Sequence, residues 1–197
     1  MDAAAWDERY AATALVWSAG PNQFVESELA SLPPGRALDL ACGEGRNARW
    51  LAERGWQVTA IDWSDVAVDK GRRVTDAVDW QVGDAVTAPL PTDLDLVVMA
   101  YFQVVAADRR HAVRRSFEAL APGGRLFVVA HDSTNLTEGT GGPQHPDVLM
   151  TAEEVLGDLD GERFEVERAE RISREVTQPD GSTRPAYDAL VRLVRNG

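Results

Sequence analysis

The segment spanning residues 37–62 constrains the fold of this chain more than any other part of the sequence. An apolar run that contains Asp39 leads into a loop with Gly43 and Gly45, a helix follows, and a second apolar run ends at Asp62. This order is typical of a βαβ unit that binds a nucleoside. Glycines let the backbone approach a ligand closely, so we expect a side chain at Gly43 or Gly45 to fill the ligand's space. We also expect Asp62 to accept hydrogen bonds from both ribose hydroxyls, and its replacement by Asn to be milder than its replacement by Ala.

The rest of the chain continues this alternation of strands and helices, which predicts a parallel sheet. The apolar runs are nearly continuous, which is typical of parallel strands covered by helices on both faces. We therefore predict a Rossmann-like, doubly wound α/β fold. Before the C-terminal region, we expect strands at 36–41, 57–62, 80–84, 94–100 and 124–130, and helices at 1–17, 22–32, 45–54, 65–76 and 109–120.

The chain changes character after Asp132. Residues 133–146 are rich in Gly, Thr, Asn and Pro, so we expect an irregular loop at the edge of the sheet where ligands bind, which suggests a lid over residues 133–150. Thr151 and Glu154 form the pattern of a capping box for a short helix. Two extended segments, 163–176 and 184–194, flank a turn at 179–181 and predict an antiparallel C-terminal hairpin.

Length and composition limit the classes of function. The 197 residues predict one domain, 1–197, with a helical N-terminal cap at 1–32. The net charge of -12 argues against nucleic acid and anionic membranes as partners. The single cysteine, Cys42, excludes an internal disulfide, and no apolar run is long enough to span a bilayer. With no signal sequence visible, we expect a cytoplasmic protein, and the three histidines lack the spacing of a metal site.

Two classes of cofactor fit the glycine loop. Gly43, Gly45 and Ala48 satisfy the dinucleotide fingerprint, with Asp62 about 20 residues beyond the first glycine, which leaves a nicotinamide-dependent oxidoreductase open. A pyrophosphate, however, prefers helix amides without nearby carboxylates, whereas Asp39 and Glu44 both lie at this loop. Acidic residues suit a cation, and S-adenosylmethionine carries a sulfonium and an ammonium. Asp84 supplies a third acid for its adenine amino group.

These residues resemble the class I S-adenosylmethionine-dependent methyltransferases, in particular the small tellurite-resistance-like and thiopurine-like members. The resemblance covers nearly the whole chain from Trp6 onward and implies seven strands, the last antiparallel. It implies that Asp39, Gly43 and Gly45 surround the methionine part, that Asp62 binds ribose, and that the segment 83–85 contacts adenine. Many members have a glycine where this chain has Ala41. The resemblance assigns further cofactor contacts to Arg9, Trp17, Ala41, Trp63, Ala85, Ala100 and Tyr101.

The resemblance also indicates the chemistry, which is methyl transfer to a small-molecule acceptor and requires no metal. An acceptor with a proton to lose needs a base, and His131 at the carboxyl end of the fifth strand is the candidate, with Asp132 beside it. Tyr101 is the second candidate catalytic residue. The alternative is that His131 only satisfies hydrogen bonds at a strand end. A non-catalytic module that binds the cofactor remains open as well, and the acceptor and the oligomeric state are not determined by the sequence.

Overall fold

Seven strands form one sheet in the computed structural model, which describes residues 3–16 and 18–197. The strand order is β3-β2-β1-β4-β5-β7-β6. The strands are β1 (Arg36–Leu40), β2 (Gln57–Asp62), β3 (Val78–Val82), β4 (Leu94–Ala100), β5 (Leu120–His131), β6 (Phe164–Thr177) and β7 (Thr183–Arg195).

Strands β1 to β5 are parallel, and β7 lies antiparallel between β5 and β6. The crossover between β1 and β4 makes this a doubly wound sheet, and ligands in such sheets bind in the crevice at that point. The predicted fold class, mostly parallel with an antiparallel C-terminal hairpin, is confirmed.

Helices cover both faces of the sheet. Alternate residues of each strand point to opposite faces, so Leu38 and Leu40 pack in one apolar cluster and Ala37 in the other. The first cluster includes residues of α5 and α7, and the second includes residues of α2, α3 and α4. The helices are α1 (Ala3–Ala11), α2 (Gln23–Leu29), α3 (Arg46–Glu53), α4 (Asp65–Val74), α5 (Ala106–Glu118), α6 (Asn135–Glu138) and α7 (Ala152–Gly157).

The first helix is shorter than the sequence pattern predicts. We expected a helix over 1–17, but α1 ends at Ala11 and residues 12–16 form turns and bends. The ammonium of Lys70 lies 2.6 Å from the carbonyl oxygen of Tyr10 and 2.7 Å from that of Thr13. A cation that binds carbonyls at a helix end stabilises that end, so Lys70 fixes the end of α1 and the turn that follows it.

Other boundaries differ from the prediction at ends that tertiary contacts set. The loop after Asp132 is not wholly irregular, because it contains α6 and a 3-10 turn at Pro146–Val148. Strand β5 begins at Leu120 rather than at 124, since Leu120 pairs with Leu94 and the register then shifts. Ser64 caps α4 by accepting a hydrogen bond from the Ala67 amide, and the capping box of Thr151 and Glu154 is present.

The parallel register brings the carboxyl ends of four strands to one edge. Leu40 pairs with Ile61 and with Met99, and Ala100 pairs with Val129. The residues that follow these positions therefore lie side by side along that edge: the glycine loop after β1, Asp62 at the end of β2, Tyr101 after β4 and His131 at the end of β5.

Candidate active site

The loop between β1 and α3 turns through three residues with left-handed backbone. Ala41 has φ 59°, Gly43 has φ 55° and Gly45 has φ 74°. An alanine in this region costs roughly 1 kcal/mol relative to glycine. The positive φ of Ala41 gives a physical reason for a glycine at this position, which the resemblance described above implies for many members of that family. This chain instead accepts the backbone strain of an alanine at the predicted cofactor loop.

Gly45 is required by the protein itself and not only by a ligand. A Cβ atom at position 45 would lie 2.0 Å from Cη2 of Trp80, whose indole also packs against Gly71. The sequence predicts that a side chain at Gly45 fills the ligand's space, but the first atoms that such a side chain meets belong to Trp80 in β3.

Replacing Gly45 by Ala is therefore expected to destabilise the protein by about 3 kcal/mol, through the Trp80 clash and the left-handed backbone. The matched control is Gly157→Ala at the end of α7, where a Cβ would meet no atom within 4 Å. We expect the control to be neutral or stabilising by up to about 1 kcal/mol. Urea unfolding measures both, and a Gly45→Ala protein as stable as the wild type would contradict the structure.

Asp62 anchors the glycine loop to the end of β2. Its Oδ2 accepts a hydrogen bond from the Gly43 amide at 2.8 Å and its Oδ1 accepts one from the Ser64 amide at 2.9 Å. The side chain is buried, and burial raises the pKa of the Asp62 carboxyl while the two amides oppose that shift. Each carboxylate oxygen has a second lone pair, so Asp62 can hold the loop and still accept hydrogen bonds from a ligand.

Asp39 is a second buried acid on the same side of the loop. Its Oδ2 accepts a hydrogen bond from the Ala48 amide in the first turn of α3 at 2.9 Å, and the residue is 1% exposed. Burial raises the pKa of the Asp39 carboxyl to about 7, with a further contribution from the negative charge of Asp62. A cationic ligand at this loop would favour the ionised form of both acids.

Glu44 does not add to the charge available for a ligand. Its Oε1 lies 2.9 Å from the Lys70 ammonium, and its Oε2 accepts a hydrogen bond from the Val16 amide at 3.0 Å. The expectation that Glu44 helps to attract a cation is therefore wrong, because Lys70 neutralises it. The N-terminal segment is instead attached to the glycine loop through Lys70 and Glu44. Lys70 binds the carbonyls of Tyr10 and Thr13, and Glu44 accepts from the Val16 amide.

Asp84 lies beside Asp62 at the carboxyl edge. The Gly83 amide donates to the Asp62 carbonyl at 2.8 Å, which links the ends of β2 and β3. Asp84 itself is exposed, and its Oδ1 accepts a hydrogen bond from the Val86 amide at 2.8 Å. Asp39, Asp62 and Asp84 thus come from the ends of three neighbouring strands, as the sequence predicts.

His131 and Tyr101 meet at the ends of β4 and β5. Their rings are 4.9 Å apart, and Tyr101 has φ 60°, a strained conformation for a bulky residue. Burial, reinforced by the charge of Asp188, raises the pKa of the Tyr101 phenol to about 12. The phenol is therefore protonated at neutral pH and does not serve as a base.

The acid beside His131 is not the one that the sequence suggested. Asp132 accepts hydrogen bonds from the amide and hydroxyl of Thr134 and closes a local turn. Asp188 in β7 lies opposite His131 instead, with its Oδ1 3.2 Å from Nδ1 of the ring. The sequence analysis did not identify Asp188. It also did not identify Arg174, whose Nε lies 2.9 Å from Oδ2 of Asp188. The sequence feature that could have indicated Asp188 is its position as the single acidic residue within the apolar segment 186–191.

The loop over residues 133–150 packs on His131. A Cβ at Gly142 would lie 3.0 Å from atoms of the imidazole, so the loop backbone contacts the ring. Asn135 fixes the loop, because its amide group donates to the Gly141 carbonyl and its Oδ1 accepts from the Tyr187 amide. The base of the loop is closed by a parallel bridge between Asp132 and Met150.

Comparison with known proteins agrees with this geometry. The methyltransferase domain family matches residues 37–124. A probable S-adenosylmethionine-dependent methyltransferase from Mycolicibacterium smegmatis is 30% identical over 151 residues, which cover 74% of this chain and 58% of the relative. Residues 37–124 therefore match a methyltransferase domain, and the predicted resemblance to the class I S-adenosylmethionine-dependent methyltransferases is confirmed.

Two further methyltransferases illustrate the relationship. The 2-phytyl-1,4-naphtoquinone methyltransferase of Thermosynechococcus vestitus is 33% identical over 117 residues, 54% of this chain and 52% of that protein. The N-methyltransferase NodS from Bradyrhizobium japonicum WM9, solved with S-adenosyl-L-homocysteine, shares the fold at a TM-score of 0.72 and 20% identity over 97% of both chains. The chain spans only 58% and 52% of the two curated relatives.

The remaining contacts that the methyltransferase resemblance assigns stay predictions. Arg9 is exposed on α1 with its guanidinium 5.0 Å from the centre of the Trp6 ring, and Trp17 lies outside the described residues. Trp63 and Ala100 are half-buried at the ends of β2 and β4, whereas Ala85 is buried in the apolar core. Of these, Trp63 and Ala100 lie beside Asp62 and Tyr101 at the carboxyl edge.

Two features of residues 3–16 and 18–197 concern metal ligands and membrane-spanning helices. These residues contain no group of three or more His, Cys, Asp or Glu side chains placed to hold a metal ion. None of the helices in this part of the chain is both long and apolar enough to cross a bilayer. The cytoplasmic location stays a prediction.

Proposed function

We propose that this chain catalyses methyl transfer from S-adenosylmethionine to a small-molecule acceptor. The observation that carries the proposal is the pair of buried acids, Asp39 and Asp62, whose pKa values are raised at a loop of left-handed residues. Desolvated carboxylates at the mouth of a crevice favour a cationic ligand over a pyrophosphate. This favours S-adenosylmethionine over a nicotinamide dinucleotide, the alternative left open by the sequence.

The residues present fit this cofactor. Asp62 keeps a second lone pair on each carboxylate oxygen, which would accept the ribose hydroxyls, and the loop from 41 to 45 with the buried Asp39 carboxylate would hold the methionine part. Asp84 is exposed at the next strand end for the adenine amino group. When bound, S-adenosylmethionine supplies an electrophilic methyl group and a neutral thioether leaving group.

The two segments beside the carboxyl edge of the sheet favour a small acceptor. The N-terminal segment is tied over the glycine loop by Lys70 and Glu44, and the 133–150 loop packs on His131. We propose that these two segments enclose the acceptor within one domain. The first segment belongs to the N-terminal cap at 1–32, and the second is the lid over residues 133–150. The net charge of -12 disfavours an acceptor on nucleic acid. The quinone methyltransferase relative has a small-molecule substrate by its name.

The chain's own contribution is alignment, exclusion of water and placement of charge. We propose that His131 accepts the proton of the acceptor when that acceptor must ionise. His131 is 9% exposed at the carboxyl end of β5 and is covered by the loop backbone at Gly142. Tyr101, which stays protonated, contacts the imidazole and would pack beside an acceptor bound at His131.

The test is formation of S-adenosylhomocysteine from S-adenosylmethionine with a panel of phenols, hydroxyquinones, amines and thiols. We expect turnover with at least one member and none without an acceptor. NADH oxidation with the corresponding quinones and carbonyl compounds is the control reaction and is expected to be absent. Tight binding of S-adenosylhomocysteine with no turnover across the panel would favour the non-catalytic binding module instead.

A further inference from the structure

Asp188 is a buried acid with one oxygen left for His131. The residue is 0% exposed in the middle of β7 and faces His131 in the register of β5 and β7. Its Oδ2 receives the Tyr101 hydroxyl at 3.0 Å and Nε of Arg174 at 2.9 Å. Its Oδ1 and the Nδ1 of His131 are 3.2 Å apart, and both atoms are buried without an aligned hydrogen-bond partner.

The ionisable groups around His131 come from every neighbouring strand. Tyr101 follows β4, Asp188 lies in β7 and Arg174 lies in β6, while Asp132 on its own strand end is turned toward Thr134. The 133–150 loop contributes the backbone of Gly142. Asp188 is therefore the carboxylate that is placed to bind the imidazole, and a small rotation of the ring aligns Nδ1–H with Oδ1.

The other ring nitrogen is free to react. Nε2 of His131 has no hydrogen-bond partner among residues 3–16 and 18–197. Unlike Nδ1, it is not a buried atom, so solvent or a ligand can reach it. A carboxylate on Nδ1–H fixes the tautomer in which Nε2 carries a lone pair, and it stabilises the imidazolium that forms after proton transfer.

We propose that Asp188 is a positioning residue that holds His131 with Nδ1 protonated, and that the acceptor is a hydroxyl compound whose proton passes to Nε2. This rests on the proposed function. It goes beyond that function in two ways. It assigns a role to Asp188, and it favours an acceptor with an O–H group, because an acceptor that is already anionic needs no base.

The proposed step conserves atoms and electrons. The acceptor O–H bond breaks and its proton binds Nε2, while an oxygen lone pair forms the bond to the methyl carbon. The carbon–sulfur bond breaks with its electron pair on sulfur, which leaves neutral S-adenosylhomocysteine. The imidazolium, paired with Asp188, then returns its proton to solvent.

The strain at Tyr101 supports this arrangement. A left-handed tyrosine is held only where its surroundings compensate for the cost, and here its hydroxyl donates to Asp188. Tyr101 and Arg174 together occupy Oδ2, which leaves Oδ1 for the imidazole. In an Asp188→Asn protein, the same two donors would hold the amide oxygen and turn the NH2 group toward Nδ1. Nδ1 must then accept, so the tautomer inverts.

The test is ¹⁵N NMR of histidine-labelled protein bound to S-adenosylhomocysteine, under conditions in which the NMR signals show a neutral imidazole. The chain has three histidines, so His111→Gln and His145→Gln identify the His131 signals. We expect wild-type His131 to carry its proton on Nδ1 and the Asp188→Asn protein to carry it on Nε2. With a phenol that the wild type methylates, we expect kcat to fall on the order of 10³-fold to 10⁴-fold, and KM to change little.

The matched control is Asp132→Asn, which removes the other buried acid next to His131 and is expected to leave the tautomer unchanged. A wild-type His131 protonated on Nε2 would overturn the proposal even if the Asp188 variant failed to fold, and so would an unchanged tautomer in a folded variant. Wild-type turnover confined to thiols that are already ionised would overturn the acceptor class. Failure of S-adenosylhomocysteine to bind the wild type would instead contradict the proposed function.

Discussion

Replacing Asp39 by Asn is expected to stabilise the ligand-free protein at pH 8. The pKa of the Asp39 carboxyl is about 7 in the folded protein against an ordinary 3.8, so the folded state keeps a proton that the unfolded chain loses. The contribution of Asp39 to the free energy of unfolding is therefore greatest at low pH, falls as pH rises from about 4 to about 7, and is constant above that. A shift of about three units corresponds to about 4 kcal/mol.

The amide that Asp39→Asn introduces does not ionise, so the variant avoids this cost while its amide oxygen still accepts from Ala48. We expect the variant to exceed the wild type by about 2 kcal/mol at pH 8, since an unpaired amide NH2 offsets part of the gain. The difference should shrink toward pH 5. Urea unfolding at pH 5, 6.5 and 8 measures it, and a difference that is independent of pH would show that Asp39 does not titrate in this range.

The same substitution is expected to weaken cofactor affinity. A ligand ammonium stabilises the Asp39 carboxylate, so wild-type affinity for S-adenosylhomocysteine should increase from pH 6 to pH 8, whereas the affinity of the variant should be nearly flat. Calorimetry at the same pH values separates the two outcomes. A variant that is more stable and also binds as tightly as the wild type would remove Asp39 from the binding site.

Asp62→Ala is expected to weaken the binding of S-adenosylhomocysteine by about 1.5 to 3 kcal/mol, because charge-assisted hydrogen bonds to the ribose are lost. The structure changes our expectation for Asn. Both carboxylate oxygens accept backbone amides, from Gly43 and Ser64, so an Asn must oppose one of these donors with its own NH2 group. We therefore expect Asp62→Asn to bind nearly as weakly as Asp62→Ala.

The matched control for Asp62 is Asp65→Asn, which removes an exposed charge from the first turn of α4 close to the same strand end. Calorimetry is expected to show affinity within about threefold of wild type for this control, as an exposed charge contributes little. Full affinity in both Asp62 variants would contradict the assignment of the ribose site.

The sequence predicted the parts of this protein that depend on local pattern. Glycine spacing, the apolar runs and the acids at strand ends identified the βαβ unit, and parallel strands necessarily bring Asp39, Asp62 and Asp84 to one edge. The capping residues Ser64 and Thr151 were predicted because their hydrogen bonds reach only three residues along the chain.

The parts that could not be predicted depend on contacts between distant segments. Lys70 binds the carbonyl end of α1 and neutralises Glu44, which lies 26 residues away from it in the chain. The requirement for glycine at position 45 comes from the Trp80 side chain rather than from a ligand. Asp188 meets His131 only because β7 inserts antiparallel between β5 and β6. The order of the strands determines which acid lies next to His131. The prediction that Asp132, its neighbour in sequence, is that acid is therefore wrong.

We propose that the buried acids at the glycine loop bind an adenosine linked to a cationic methionine. Calorimetric titration of the wild-type protein at pH 8 with S-adenosylmethionine, S-adenosylhomocysteine and NADH tests it most directly. We expect one binding site occupied by each of the first two ligands, and no binding of NADH. Binding of NADH without either adenosyl ligand would contradict the account.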